Sequence, residues 1–475
     1  MKRFRIVLSL LLCFAMMFSL CFSASAQNAR VEYFSDSADV YLSSDSEQLI
    51  MGNLYSKELL NVIYDALKNS QDGIDISKYS ASITAKDLSN IMSYMTNIHP
   101  DLFYLSHEYR YGMLDGKIVS IVPTYLMSGD ELTAAQKAFD AKIDSIISMI
   151  NDNWSDYEKV VFVHDYIVSN SHYDTTYSKY DAYSLLVNGT AVCQGYSTAF
   201  LAIMERLGIP CTIVVCDEIQ HEWNAVQVNG KWYHVDCTYD DPIPDKLGQV
   251  LHTYCLVSDS KLLSEDSNRQ NYYVYDRSVK FNSILFDVCD WKNAESQIAN
   301  LGGSWYYIRN SSTSFEIVKT DLTSSYVTEK TFTNSYWPVP GDKSGAYFNA
   351  SSCLGVSDGK LYFSTCNKIY SYDVNTKAQV EICSPDVSSG YIYGFTINNG
   401  EIEYLIAADP NKIENGTIHK YVLVNRYDYN ADGVVNSADL LAVKWIIIHN
   451  QLSGADSDVS AIDYIRLQNY LMKIS

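Results

Sequence analysis

The sequence predicts a multidomain protein: an α+β core, preceded by a mostly helical region and followed by a small all-β domain and a short α-helical module. Three observations predict it. Residues 156–265 place two stretches of helical apolar spacing ahead of three strands, two of them joined by Asn229-Gly230. Residues 300–425 break into short strands with turn residues between them. Residues 426–475 hold two similar helical stretches related by a period of 24 residues. At 475 residues, 47% hydrophobic and 19% charged, the chain has length for about three domains of ~150 residues and ample core.

Residues 1–26 read as a secretory signal peptide. Lys2, Arg3 and Arg5 precede an apolar run over 6–22, and Ala24-Ser25-Ala26 offers a cleavage site. A signal anchor is the rival reading of that run, and a lipid-anchored Cys21 is disfavoured by the bulky Leu20 before it. No later apolar run is long enough to span a membrane, so the expectation is a secreted, extracellular protein with no stable span after cleavage. The net charge of −21 repels phosphate backbones and argues against a nucleic-acid partner. Of eleven cysteines, Cys13 and Cys21 lie in the leader and nine remain. Export permits disulfides, an odd count leaves at least one thiol unpaired, and free buried thiols fit equally well.

Residues 27–155 are expected to be mostly helical. "SEQLIMGNLYSKELLNVIYDALKN" and "ELTAAQKAFDAKIDSIISMINDN" carry helical apolar spacing, with a short hairpin through Asp115-Gly116 between them. No catalytic constellation is visible there, and the region reads as a packing or gating subdomain. In residues 156–265, "YEKVVFVHDYIVSN" and "AVCQGYSTAFLAIMERLG" are helices, the second stopped by Gly208. "CTIVVC", "HEWNAVQVN" and "KWYHVDCTYD" are strands. Residues 266–299 connect. In 300–425, "GKLYF" before "KIYSYDV" echoes "SWYYI" before "FEIVKTD", which suggests stacked two-stranded, propeller-like units, with a β-sandwich as the even alternative.

The hairpin places the first candidate chemistry. With Asn229-Gly230 as a two-residue turn, Val228 pairs Lys231 and Trp223 faces Asp236. His221 shares the Trp223 face, so His221 and Asp236 become diagonal neighbours with Cα atoms roughly 7–8 Å apart. His234 also lies on the Asp236 face, and geometry alone leaves both histidines open. Cys193 opens a helix, where unpaired N–H groups and the helix dipole favour a thiolate and could bind an oxyanion. A thiolate, a histidine to protonate a leaving amine and an acid to hold the tautomer make a nucleophile–base–orienter set.

Residues 155–260 resemble the transglutaminase-like superfamily in its bacterial secreted branch. The resemblance rests on Cys193-Gln194-Gly195-Tyr196, on His221-Glu222-Trp223-Asn224, and on Trp232-Tyr233 leading to Asp236 and then Asp240-Asp241-Pro242. The upstream "EKVVFVHDYIVSNSHYD" matches the family's leading helix. The resemblance implies a papain-like α+β fold with Cys193 as nucleophile, His221 as base and Asp236 as orienting acid. It implies amide chemistry on proteins or peptides through a thioester, passed either to an amine or to water. Cys237, beside Asp236, alternates to the opposite face and is expected to be a structural thiol.

"DYNADGVVNSAD" fits a twelve-residue calcium loop. Asp428, Asn430 and Asp432 stand at positions 1, 3 and 5, Gly433 turns the chain at 6, Val434 offers its carbonyl at 7, Asn436 stands at 9 and Asp439 closes at 12. The Asp closure and the duplication resemble type I-like dockerins of cellulosomes. That implies one bound Ca2+, a cohesin of a scaffoldin as partner, and partner-binding positions at Ser437, Ala438, Lys444 and Trp445. The second unit, "GADSDVSAID", is shortened, and no full second loop exists. The expected protein is therefore a secreted, scaffold-borne cysteine-nucleophile amide hydrolase or acyltransferase. The competing class is a catalytically silent structural or peptide- or glycan-binding component of the same scaffold.

Overall fold

The computed structural model describes residues 31–37, 54–81, 83–275, 279–338, 347–348, 350–398, 400–423, 437–453, 464–465 and 467–468. The segments read above as a signal peptide and as a calcium loop up to Asn436, and most of the second stretch of helical spacing at 461–472, lie outside the described residues. The chain divides into two units, Met1–Ala138 with Tyr275–Ser278, and Phe139–Val274 with Val279–Ser475.

The first unit is more mixed than the helical spacing suggests. Its strands β1 (Glu32–Ser37), β2 (Ile74–Asp75), β3 (Leu105–Leu114) and β4 (Lys117–Tyr125) form an antiparallel sheet in the order β1-β3-β4-β2. The hairpin expected to be short runs the full length of β3 and β4. Both turn residues, Asp115 and Gly116, have positive φ (50° and 74°), the combination that matches the twist of the flanking strands. Helix α1 (Lys57–Lys68) falls between β1 and β2 in sequence, and α2 (Ala85–Ile98) between β2 and β3. A capping box starts α2: the Thr84 side chain accepts from the Asp87 amide while Asp87 accepts from the Thr84 amide.

Helix α3 (Gly129–Ile147) crosses the division between the units. Its second half belongs to the core unit, where Asp140 and Asp144 pair with Arg206. Helix α4 (Asp156–Asn170) opens on a Ser155/Glu158 capping box, and a short α5 (Ala182–Asn188) ends on Gly189 in the left-handed conformation. Two two-residue strands, β5 (His172–Tyr173) and β6 (Thr190–Ala191), then lead into α6 (Cys193–Leu207), which is buried from Cys193 to Met204 and stops at left-handed Gly208.

Helix α6 lies on a five-stranded sheet, order β10-β9-β8-β7-β11. Its strands are β7 (Cys211–Cys216), β8 (His221–Val228), β9 (Lys231–Val235), β10 (Cys255–Val257) and β11 (Tyr273–Val274), with a helix α7 (Asp259–Glu265) between the last two. The register of β8 on β9 is the expected one: Val228 faces Lys231 and Asn224 faces Val235, with Asn229 and Gly230 at φ 51° and 72°. The third strand is shorter than expected, ending at Val235, so Asp236 sits just beyond it. The segment expected only to connect, 266–299, supplies β11, because its Tyr273 and Val274 pair with β7 and complete the sheet edge.

Residues 299–422 form three consecutive antiparallel meanders. They are β12 to β15 (Ala299–Leu301, Ser304–Asn310, Ser314–Thr320, Tyr326–Thr333), β18 to β21 (Leu354–Ser357, Lys360–Ser364, Ile369–Tyr372, Gln379–Cys383) and β22 to β24 (Tyr391–Asn398, Glu401–Ala407, Thr417–Val422); a small pair, β16 (Trp337–Pro338) and β17 (Tyr347–Phe348), stands between the first two. Ile308, Phe315, Leu361, Phe363, Tyr393 and Leu405 draw all three into one apolar cluster. The meanders are fastened to the core. The Trp305 indole donates to Glu158 at 2.7 Å, the Ile298 amide donates to Asp165 at 2.6 Å, and the Phe395 amide donates to the Leu247 carbonyl at 3.0 Å. At that last contact a Cβ on Gly248 would lie 1.8 Å from the Phe395 carbonyl oxygen, which only glycine avoids. Helix α8 (Ser437–Ser453) is the helix described in the C-terminal segment, besides residues 464–465 and 467–468.

Candidate active site

Cys193 is the first residue of α6 and is 3% exposed. Its position depends on Gly195: a Cβ there would meet the Ala191 Cβ at 2.2 Å and the Asp181 carbonyl oxygen at 2.9 Å. The small residue lets the start of α6 press against the chain entering α5. The Tyr196 hydroxyl donates to Asp241, and the Asn224 amide donates to the Ser197 carbonyl at 2.9 Å, pinning α6 to β8 and to the loop beyond β9.

His221 opens β8 and reaches Asp236 as the diagonal geometry expects, with Nε2 at 2.7 Å from Oδ2. Its other face hydrogen-bonds the Cys193 thiol. With Nε2 committed to Asp236, Nδ1 is the ring nitrogen left for the thiol. The imidazole is held by rings: Trp223 stacks at 5.7 Å and Tyr239 lies at 4.6 Å, centroid to centroid. Burial acts against charging this imidazole, but the Asp236 carboxylate and the Cys193 hydrogen bond outweigh it and push the pKa up to about 9. Asp236 is fully buried, yet His221 and Arg269 hold its pKa well below the usual carboxylate range. The Thr238 and Tyr239 amides both donate to its Oδ1 at 3.1 Å.

The structure separates the two histidines that the hairpin left open. His234 accepts from the Trp223 indole at 3.0 Å and turns Nε2 to Asp259 at 3.0 Å, and burial lowers its pKa. Both of its ring nitrogens are engaged away from the thiol. Cys237 is buried, and burial raises its pKa well above the ordinary thiol value. No disulfide joins any of the nine described cysteines.

Three features escaped the sequence reading. Arg269 is fully buried and donates from Nη1 to Asp236 Oδ2 at 2.7 Å. Glu222, beside His221, is fully buried and accepts from the Ser197 hydroxyl; burial pushes its pKa up to about 7. A second imidazole centre joins His164, Asp165, Asp240 and His252. His164 turns Nδ1 to Asp165 at 2.9 Å and Nε2 to Asp240 at 3.1 Å, while His252 turns Nε2 to Asp165 at 3.0 Å and Nδ1 to the Ala294 carbonyl at 3.0 Å. His164, Asp165 and His252 gather one ligand atom each within 4.8 Å, the spacing of a metal-ligand set. Every ring nitrogen there already faces an oxygen acceptor, which describes a hydrogen-bonded ion network. Apart from His164 and its neighbour Asp165, these contacts join segments far apart in the chain, beyond the reach of any local spacing signal.

Of the calcium-loop residues, Asp428, Asn430, Asp432, Val434 and Asn436 lie outside the described residues, and Asp439 is buried on α8. On the same helix Ser437, Lys444 and Trp445 are exposed and Ala438 is half-buried. Among the described residues no helix is long and apolar enough to cross a membrane.

Residues 146–237 match the Transglutaminase-like superfamily. Two solved structures are similar over part of the chain. One, a TGase, is 18% identical and covers 28% of this chain and 45% of its own, with a TM-score of 0.20. The other, described as "a Putative Cysteine Protease from Cytophaga hutchinsonii", is 16% identical and covers 29% of this chain and 58% of its own, with a TM-score of 0.20. The chain thus spans about half the length of the solved structures it matches. No curated protein matches it. The stretch that matches the Transglutaminase-like superfamily, residues 146–237, contains the thiol, the imidazole and the carboxylate just described.

Proposed function

We propose that this protein is a thiol enzyme acting on amide bonds of proteins or peptides, with Cys193 as nucleophile, His221 as acid–base and Asp236 as orienting acid. The carrying observation is the buried chain of contacts from the Cys193 thiol through the His221 ring to Asp236, at the start of a helix. The thiolate attacks the amide carbonyl carbon, and the His221 imidazolium gives its proton to the departing amine. The resulting thioester is then opened by water or by a second amine, whose proton returns to His221. The half-exposed rings of Tyr173 and Tyr239 flank the site and suit a peptide chain laid across it. Hydrolysis is at least as well suited as cross-linking to a secreted member of this superfamily.

The protein is further proposed to be secreted by its leader, and carried on a scaffold by a C-terminal Ca2+ loop and helix that dock to a cohesin. The support is the ligand spacing from Asp428 to Asp439 and the exposed apolar row of Leu441, Trp445 and Ile448 on α8.

One experiment tests the chemistry. Wild type and Cys193→Ala are incubated with a protein mixture and a labelled primary amine. New peptide termini indicate hydrolysis and incorporated label indicates transfer; neither product from the wild type removes the enzyme reading. Docking is tested separately on a cohesin panel. Binding that survives both EDTA and Asp428→Ala removes the calcium reading.

A further inference from the structure

We propose that Arg269 is a positioning residue: it fixes Asp236 against His221 and sets how firmly the His221 imidazolium holds its proton. The inference rests on the reading of Cys193 and His221 as a working pair.

Arg269 lies 33 residues beyond Asp236, in a 3-10 turn, Ser267–Arg269, that follows α7. Its guanidinium is fully buried and enclosed by rings: centroids of Tyr239, Tyr254 and Trp223 lie 4.1, 4.4 and 4.9 Å away. Nη1 donates to Asp236 Oδ2, the same oxygen that meets His221 Nε2, each at 2.7 Å. Nε stands 3.6 Å from Asp266, and Nη2 has no hydrogen-bond partner among the described residues and is left to the aromatic cage. A buried arginine that spends its donors so sparingly is placed for one contact.

That contact has two consequences. The first is steric. With the Thr238 and Tyr239 amides on Oδ1, Arg269 completes four donors around Asp236 and removes the freedom of the carboxylate to turn away from His221. The second is electrostatic. A cation on Oδ2 draws on the charge that would otherwise act wholly on the imidazole, so the proton on His221 is held less tightly than a bare aspartate would hold it. The other groups facing the pair do not supply this effect. Asp236, Cys193 and Glu222 face His221, His234 faces Asp236, and Asp266, Tyr239 and Tyr254 face Arg269. Among these described groups Arg269 is the fixed cation.

The test follows the rate at which iodoacetamide labels Cys193 across pH in the full chain, read on the Cys193 peptide by mass spectrometry. Proton NMR of the His221 ring is recorded in parallel. The wild-type rate rises in two steps, the upper one marking loss of the imidazolium proton. In Arg269→Met that step and the ring titration move up by about one pH unit. Arg269→Lys, which keeps the charge, returns them most of the way. Asp266→Asn, which removes a negative charge beside Arg269 and keeps the turn's cap, moves them down by a smaller amount. A folded Arg269→Met with an unmoved ring titration overturns the proposal, as does Arg269→Lys shifted as far as Arg269→Met. If Arg269→Met does not fold, Asp266→Asn decides: an unmoved or upward titration overturns it. A Cys193 that labels no faster than an ordinary thiol removes the enzyme reading, while the ring titration still judges Arg269.

Discussion

The core holds two buried imidazole–carboxylate centres built from similar parts for opposite ends. In one, His221 gives a single ring nitrogen to Asp236 and turns the other to a thiol. In the other, His164 gives both ring nitrogens to carboxylates, Asp165 and Asp240. The difference separates a pair that the proposed chemistry can use from one that it cannot. An imidazole with one nitrogen anchored and one facing a nucleophile can pass a proton. An imidazole with both nitrogens anchored can only bind. The second centre is accordingly a fastening: Asp165 also accepts the Ile298 amide, and His252 meets the Ala294 carbonyl, so the network ties α4 to the chain leading into the meanders.

Breaking each centre should therefore fail in different ways. The largest effect is expected from Cys193→Ala, which lowers turnover by at least about 10³-fold while leaving chemical denaturation nearly unchanged. Steady-state kinetics beside a urea titration check both halves. His164→Ala should do the reverse. It takes the imidazole between them from two buried carboxylates and costs about 3–5 kcal/mol of stability, while Cys193 in the folded fraction keeps its labelling rate. A variant that keeps its stability but loses thiol reactivity would reverse the roles assigned to the two centres.

Smaller effects sharpen the first centre. Glu222 has a folded pKa of about 7 against 4.5 when solvated, so the native state binds the extra proton between those values. Its contribution is complete below about 4.5 and is lost as pH rises through about 7. Glu222→Gln should abolish that decline, a difference of at most about 3 kcal/mol between denaturation curves at pH 5 and pH 8. Gly195→Ala should cost about 1–3 kcal/mol by pushing the start of α6 off Ala191 and Asp181, and should slow Cys193 labelling by moving the sulfur from His221. Wild-type labelling in a destabilised Gly195→Ala would show that α6 can shift without disturbing the pair.

Legibility in the sequence followed the range of the interaction. The Asn229-Gly230 turn fixed the register of β8 on β9, and with it the approach of His221 to Asp236, because a two-residue hairpin leaves one pairing. The helix at Cys193 and its stop at Gly208 were equally local. The extent of the first unit's sheet was not legible, since β1 joins β3 across more than seventy residues and no local pattern announces such a pairing. Nor was β11, two residues long, whose strand character comes only from lying beside β7.

By itself, then, the sequence determined the local apparatus: the helix that presents Cys193, the hairpin that aligns His221 with Asp236, and the Asp/Asn spacing of the C-terminal loop. These follow from backbone periodicity and turn stereochemistry within a few residues. The hairpin left both histidines open and the family resemblance implied His221; the tertiary structure supplies the physical reason, because Trp223 and Asp259 claim both nitrogens of His234. Only it brought Arg269 onto Asp236, and Glu222 into a place where its carboxyl keeps its proton to about pH 7. Those outcomes depend on burial and on charges met across long separations, and such energies exist only once the chain has closed around them.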